Sequence, residues 1–313
     1  MRTLRKFIFI TLSFAILGLL TVPAYSADQN QCISCHVKFK ERAKSVHAAL
    51  ALGCASCHES VAGMTHPGQK GSVRLIQPMP GLCYTCHDEA NFKGKYLHTP
   101  VTTGMCTACH DAHQSDYNKV LLKDQPGLCF DCHKETKFKG RSVHAPVGGG
   151  LCTGCHNPHA SNSDKILLSD VPEVCYTCHD KALFTKKNVH AVVSMPNGCN
   201  LCHNPHASDT KPILLQAIDP LCISCHSTKT DGRHIVSLPG KNKIHPLQGA
   251  KDPLFPGTKK IPDPFNPAKE LEVPDPDNPG RDITCVTCHN PHSTDFTKLF
   301  PQRNICARCH TFY

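Results

Sequence analysis

Apolar residues fall along this chain in short clusters that recur at even intervals. Three near-copies of one segment, KVLLKDQPGLC at 119–129, KILLSDVPEVC at 165–175 and PILLQAIDPLC at 212–222, each hold a few apolar positions broken by proline. Proline fixes its own backbone angle and removes a donor, so these segments predict single helical turns, little strand and much irregular chain. Two stretches differ. Phe7 to Val22 is one continuous apolar run behind Arg2, Arg5 and Lys6, and Ala24-Tyr25-Ser26 follows it. A basic start, a short apolar centre and a small-residue site predict a signal peptide over 1–26. The run is short for a bilayer crossing of about 20 residues, so no transmembrane segment is expected after cleavage. Cys32 follows DQNQ, which implies no lipid anchor. The other stretch, 227–284, holds eight prolines between Pro253 and Pro279 and reads as a solvated spacer.

Composition sharpens the picture. The chain has 313 residues but no Trp, 6% aromatics, 25 Pro and 20 Gly, a thin inventory for a side-chain core of that size. Something else must fill the interior, and 22 cysteines point to a cross-linked or cofactor-stapled scaffold. Removing Arg2, Arg5 and Lys6 with the leader takes the formal charge from +9 to +6, with no long basic run beside aromatics. Nucleic acid is therefore not an expected partner.

Every cysteine lies in one motif, Cys-x-x-Cys-His, which occurs eleven times. The sets are Cys32, Cys35, His36; Cys54, Cys57, His58; Cys83, Cys86, His87; Cys106, Cys109, His110; Cys129, Cys132, His133; Cys152, Cys155, His156; Cys175, Cys178, His179; Cys199, Cys202, His203; Cys222, Cys225, His226; Cys285, Cys288, His289; and Cys306, Cys309, His310. Two thiols three positions apart can reach the two vinyl groups of one porphyrin, with the adjacent imidazole under the iron. The expectation is eleven covalent haems c. Disulfides would show no relation between cysteine and histidine spacing, whereas here His follows every second cysteine. Zinc fingers pair a Cys-x2–4-Cys with a distant histidine pair, and an immediately adjacent histidine turns back poorly onto the same ion.

Eleven further histidines lie outside the motifs: His47, His66, His98, His113, His144, His159, His190, His206, His234, His245 and His292. One spare imidazole for each motif predicts bis-histidine ligation. His47, His98, His144 and His190 stand eleven positions after a motif histidine; His113, His159, His206 and His292 stand three positions after one. A histidine three positions on lies on the same face of the turn and cannot reach across its own ring, so ligands are expected to pass between adjacent segments. His66 takes the place of a missing third-position histidine after the motif at Cys54, and His234 and His245 fall at neither usual offset. The motif at Cys306 is followed by three residues, so its second ligand is expected from upstream.

Motif starts from Cys83 to Cys222 step by 23, 23, 23, 23, 24 and 23 residues, a two-motif unit repeated as a quasi-one-dimensional array. The expected organisation is a signal peptide 1–26, a repeat region 27–226 with nine motifs, an insertion 227–284 carrying His234 and His245, and a C-terminal pair 285–313. The expected fold is mostly irregular with short α-helices, a haem-cored, elongated array of two-haem units.

This alternation of H-x7/8-CxxCH-xx-H with CxxCH resembles the doubled-CxxCH multihaem c-type cytochromes over 32–310. The resemblance implies an electron carrier rather than an enzyme, on a respiratory route to a periplasmic or extracellular acceptor. It implies redox partners: a quinol-linked donor cytochrome, an outer-membrane or extracellular cytochrome or terminal acceptor, and an outer-membrane porin. The location expected is the periplasm, with the cell surface and secretion as the alternatives. Only Met64, Met79, Met105 and Met195 remain after the leader, so potential-raising Met ligation is not general and low potentials are expected. The competing reading is a reductase of a small nitrogen or sulfur oxyanion, which needs one iron with an open position.

Overall fold

The computed structural model describes residues 27–230, 232–235, 245 and 249–310. The signal peptide expected over 1–26 lies outside the described residues. Within them the elements are short: the longest helix is Ala27–Cys35 and the longest strand Asn266–Pro274, and most of the rest is single turns and two-residue strands. Two compact units interleave in sequence, one running to Cys83 and including His110–Leu122, the other formed by Tyr84–Cys109 and Lys123 onward.

The second unit shows how the repeat folds. Gly127–Phe130, Glu173–Tyr176 and Ile218–Ile223 make single helical turns that lead into the motifs at Cys129, Cys175 and Cys222. A 3-10 turn follows the motif in Glu89–Phe92, Glu135–Phe138 and Lys181–Phe184. The carboxylates of Asp88 and Asp180 cap two of these turns, accepting from the N–H groups of Ala90 and Ala182 at 2.9 Å.

Two-residue antiparallel strands then tie distant copies together. Tyr96–Leu97 pairs with Ala160–Ser161, Ser142–Val143 with Ala207–Ser208, and Asn188–Val189 with Ser293–Thr294. Glycine is required beside two of them: a Cβ on Gly94 would lie 2.8 Å from the Ser161 carbonyl, and on Gly140 2.6 Å from that of Ser208. The first unit repeats the device with Ser45–Val46 against Gln114–Ser115, and adds His58–Ser60 against Val73–Leu75.

The side-chain core is small. Among the described residues the buried hydrophobics are Ala160, Val171, Val174, Val193, Ala207 and Leu214. In the three repeated apolar segments the second leucine stays open: Leu122, Leu168 and Leu215 are 42%, 55% and 49% exposed. Apolar surface at a fixed repeat position is what a porphyrin face would cover.

The Pro-rich insertion differs from the expected spacer. Thr258–Asp263 and Asn266–Pro274 form an antiparallel hairpin with a register shift at Pro262/Asp263, and Lys260 bridges Glu270 at 3.2 Å. A two-stranded ribbon consists only of edges, and proline is tolerated on an edge. Its base is closed by Asp252, which is fully buried, accepts from Arg281 Nε at 2.9 Å and from the Leu254 N–H at 3.0 Å.

Candidate metal centres

Eight of the motifs close one helical turn: the N–H of the motif histidine donates to the carbonyl of the first cysteine, at 2.9 Å in His133–Cys129, 3.1 Å in His156–Cys152 and 2.9 Å in His226–Cys222. Both thiols and the imidazole thus leave one short stretch of backbone. No two of the 22 cysteines are joined in a disulfide. Among the described residues no three His, Cys, Asp or Glu side chains converge as a metal cage, as a Cys2His2 zinc site would need.

Eight of the eleven spare imidazoles face motif imidazoles. In the second unit His98 pairs with His133 (6.1 Å between ring centroids, 17° between planes), His144 with His179 (6.1 Å, 17°) and His190 with His226 (6.0 Å, 25°). His206 pairs with His156 (6.0 Å, 24°) and His292 with His203 (6.1 Å, 18°). In the first unit His66 pairs with His36 (6.0 Å, 15°) and His113 with His58 (6.1 Å, 10°). Two imidazoles binding one ion from opposite sides through metal–nitrogen bonds of about 2 Å place their centroids about 6 Å apart. An eighth pair, His245 with His310, has a similar separation of 6.4 Å but crossed planes at 73°.

These pairs correct the expectation of exchange between adjacent segments. His98, His144 and His190, each eleven residues after a motif histidine, meet the motif histidine two motifs downstream, and His113, His206 and His292 meet the one two motifs upstream. The two-residue strands explain the reach. They begin and end beside these histidines, and the N–H of His144 donates to the His206 carbonyl at 2.9 Å while that of His190 donates to the His292 carbonyl at 2.9 Å.

The protonation of the rings is set by backbone. Nδ1 of His47, His98, His144 and His190 donates to the carbonyls of Ala112, Pro158, Pro205 and Pro291 at 2.8–3.0 Å. Nδ1 of His110, His156, His203 and His289 donates to Lys119, Lys165, Pro212 and Lys298 at 2.7–3.2 Å. A carbonyl can only accept, so the proton sits on Nδ1 and Nε2 keeps its lone pair for a metal. Burial pushes the imidazoles of His58, His203, His206 and His292 below the ordinary histidine range, further favouring the neutral ligand form. The accepting carbonyls are aimed by strained backbone: Val120, Ile166 and Ile213 are β-branched yet left-handed, with φ of 49°, 52° and 50°.

Further functional residues escaped the sequence reading. The residue after the motif histidine, Asp111, Asn157, Asn204 or Asn290, accepts from the N–H of the histidine two positions later at 2.8–3.0 Å, folding the link into an Asx turn. Phe39, Phe92, Phe138 and Phe184 pack on His113, His159, His206 and His292 with centroids 5.0–5.1 Å apart. The aromatics inside CYTCH, CFDCH and CYTCH, namely Tyr84, Phe130 and Tyr176, pack in turn on those phenylalanines. The signal was available as an aromatic five positions after each of three motifs. The other site residues lie as follows: His87 is exposed at the end of its motif, His289 packs on Phe300 at 5.1 Å, and His234 ends the turn Gly232–His234.

Thiols of successive motifs approach alternately through second and first cysteines. Cys109 lies within electrostatic reach of Cys132, Cys155 of Cys178, Cys202 of Cys225 and Cys288 of Cys309. Between them, Cys129 lies beside Cys152, Cys175 beside Cys199 and Cys222 beside Cys285. Burial, then the Cys152 neighbour, pushes the Cys129 thiol up to about 11. The thiols of the motifs from Cys106 to Cys309 therefore follow one another in sequence order.

Two thiols and an imidazole on one turn, faced by a second imidazole at metal-bridging distance and flanked by open leucines, fit haem c and define a multihaem c-type cytochrome. The chain matches the family described as doubled CXXCH motif over residues 98–138, 144–183, 190–231 and 278–312, and belongs to it. Residues 37–111 match the family of cytochrome c7 and related cytochrome c. No curated protein matches the chain.

Proposed function

We propose that the protein is an electron-transfer conduit holding eleven covalent haems c, mainly with two histidine ligands each. Bound haem supplies a ferric–ferrous couple at each site, and couples in contact exchange single electrons. The observation that carries the reading is the thiol-to-thiol succession from Cys109 to Cys309, in which each motif between the two ends has a thiol near one of each neighbour. The paired imidazoles support it, because two protein ligands on an iron leave no position for substrate. His66 opposite His36 and His245 opposite His310 supply ligands at two of the three places where the spacing rule breaks. His47, His159 and His234 match His87, His110 and His289 in number as the remaining spare and motif histidines.

The leader-like residues 1–26 support export to the periplasm. There the chain takes electrons from a quinol-linked donor cytochrome and delivers them toward an outer-membrane or extracellular cytochrome or acceptor, through an outer-membrane porin where one is present. Among the described residues no helix is long and apolar enough to cross a membrane.

Low-temperature electron paramagnetic resonance on oxidised holoprotein, with a haem-to-protein ratio, tests the assignment. Eleven low-spin haems are expected. One stoichiometric high-spin haem marks an open iron and replaces the conduit with the oxyanion reductase.

A further inference from the structure

Three of the four links of the form CxxCH-x-x-H carry Asn after the motif histidine, at Asn157, Asn204 and Asn290; the first carries Asp111. The local fold is the same in all four. The N–H of His113 donates to Asp111 Oδ1 at 2.8 Å, as those of His206 and His292 donate to Asn204 Oδ1 and Asn290 Oδ1 at 3.0 Å. Asp and Asn are nearly isosteric, so the substitution changes charge and leaves shape.

The charge is placed against a ligand. Asp111 Oδ1 lies 3.4 Å from His113 Nδ1, and the His113 ring faces the His58 ring at 6.1 Å with planes 10° apart. The Gln114 N–H also donates to Asp111 Oδ1, at 3.3 Å, which holds the carboxylate in place. The opposing charge nearby is Lys38, an exposed residue whose ammonium sits 4.8 Å over the Phe39 ring, while Phe39 packs on His113 at 5.0 Å. Solvent screens Lys38 more than it screens the carboxylate, whose side chain is 32% exposed.

We propose that Asp111 is a positioning residue that sets the potential of the haem attached at Cys54 and Cys57, acting through the Nδ1 side of His113. A carboxylate on that side raises the basicity of the ligand. A fixed negative charge also favours ferric over ferrous iron, which carries one positive charge fewer. Both effects lower the midpoint potential of this site below those of the sites served by His206 and His292, where the same position is a neutral amide. This inference rests on the bis-histidine reading of His58 and His113.

The test is spectroelectrochemical titration of full-length holoprotein, wild type against Asp111→Asn and Asn204→Asp, with the low-spin signal and haem ratio measured on each sample. Asp111→Asn moves a component of one haem's amplitude to more positive potential and keeps the low-spin signal. Asn204→Asp moves one haem's amplitude to more negative potential. If both titrations superimpose on the wild type while every haem stays low-spin, the inference is wrong and the conduit stands. A wild-type protein lacking low-spin ligation at the Cys54 site overturns this inference together with the reading beneath it.

Discussion

A histidine that binds iron through Nε2 needs an acceptor for the proton on Nδ1, and here that acceptor is most often a backbone carbonyl. Such an acceptor cannot be mutated away, so ligand removal has to be made at the ring itself. His206→Ala is expected to convert one low-spin haem to high-spin, and the haem disturbed is that of Cys152 and Cys155 rather than the one at Cys199 and Cys202. Site-resolved paramagnetic NMR of the haem methyls checks this; a shift confined to the Cys199 site contradicts the pairing of His206 with His156. The crossed planes of His245 and His310 make a second expectation. Parallel imidazoles donate into the same iron d orbital and crossed ones into different orbitals, so this site contributes a strongly anisotropic low-spin signal that His245→Ala removes. Motif cysteines and motif histidines were legible residue by residue, because attachment chemistry dictates their spacing. The Asx turns and the Phe–His packing were not read, because their partners are fixed by folding and not by the motif.

Two-residue strands are too short to be stable alone. They persist because each is pinned by the histidines at its ends, and at two of them glycines let the backbones close. Gly140→Ala places a methyl against the Ser208 carbonyl, a clash of the kind that costs about 1–3 kcal/mol. The expected result is a lower Tm of the holoprotein with an unchanged haem ratio, read by thermal melting followed in the Soret band. The strands also explain why element pairing was hidden. His98 and Pro158, His144 and Pro205, and His190 and Pro291 are joined across 60, 61 and 101 residues, and no local pattern signals a pair that distant. In the insertion the proline count suggested a spacer, yet the prolines fall where a two-stranded ribbon needs no donor.

Among the described residues, few buried side chains stand against many open leucines, so most of the apolar burial must come from the porphyrins. Haem-free protein is expected to lack a cooperative unfolding transition by circular dichroism; a sharp transition in the haem-free chain contradicts a haem-filled interior. Cys155→Ala is expected to disturb the site at Cys178 as well as its own, since the two thiols are neighbours. Ten unperturbed haems in that variant, counted by pyridine haemochrome and NMR, argue against contact between successive sites.

The sequence by itself determined the chemistry and its count: 22 cysteines in eleven motifs, a spare histidine for each, and a repeat step near 23 residues. Those follow from covalent reach, since two thiols and an imidazole must meet one porphyrin from a single turn of chain. Only the tertiary structure decided which motif imidazole each of eight spare imidazoles faces, that six of these pairs at the regular offsets skip to the second motif along while thiols lie beside the next, and that the insertion is a hairpin. The reason is physical: ligation across the ring and strand pairing join residues far apart in the chain, and their choice is made by packing and backbone hydrogen bonds that no local spacing encodes.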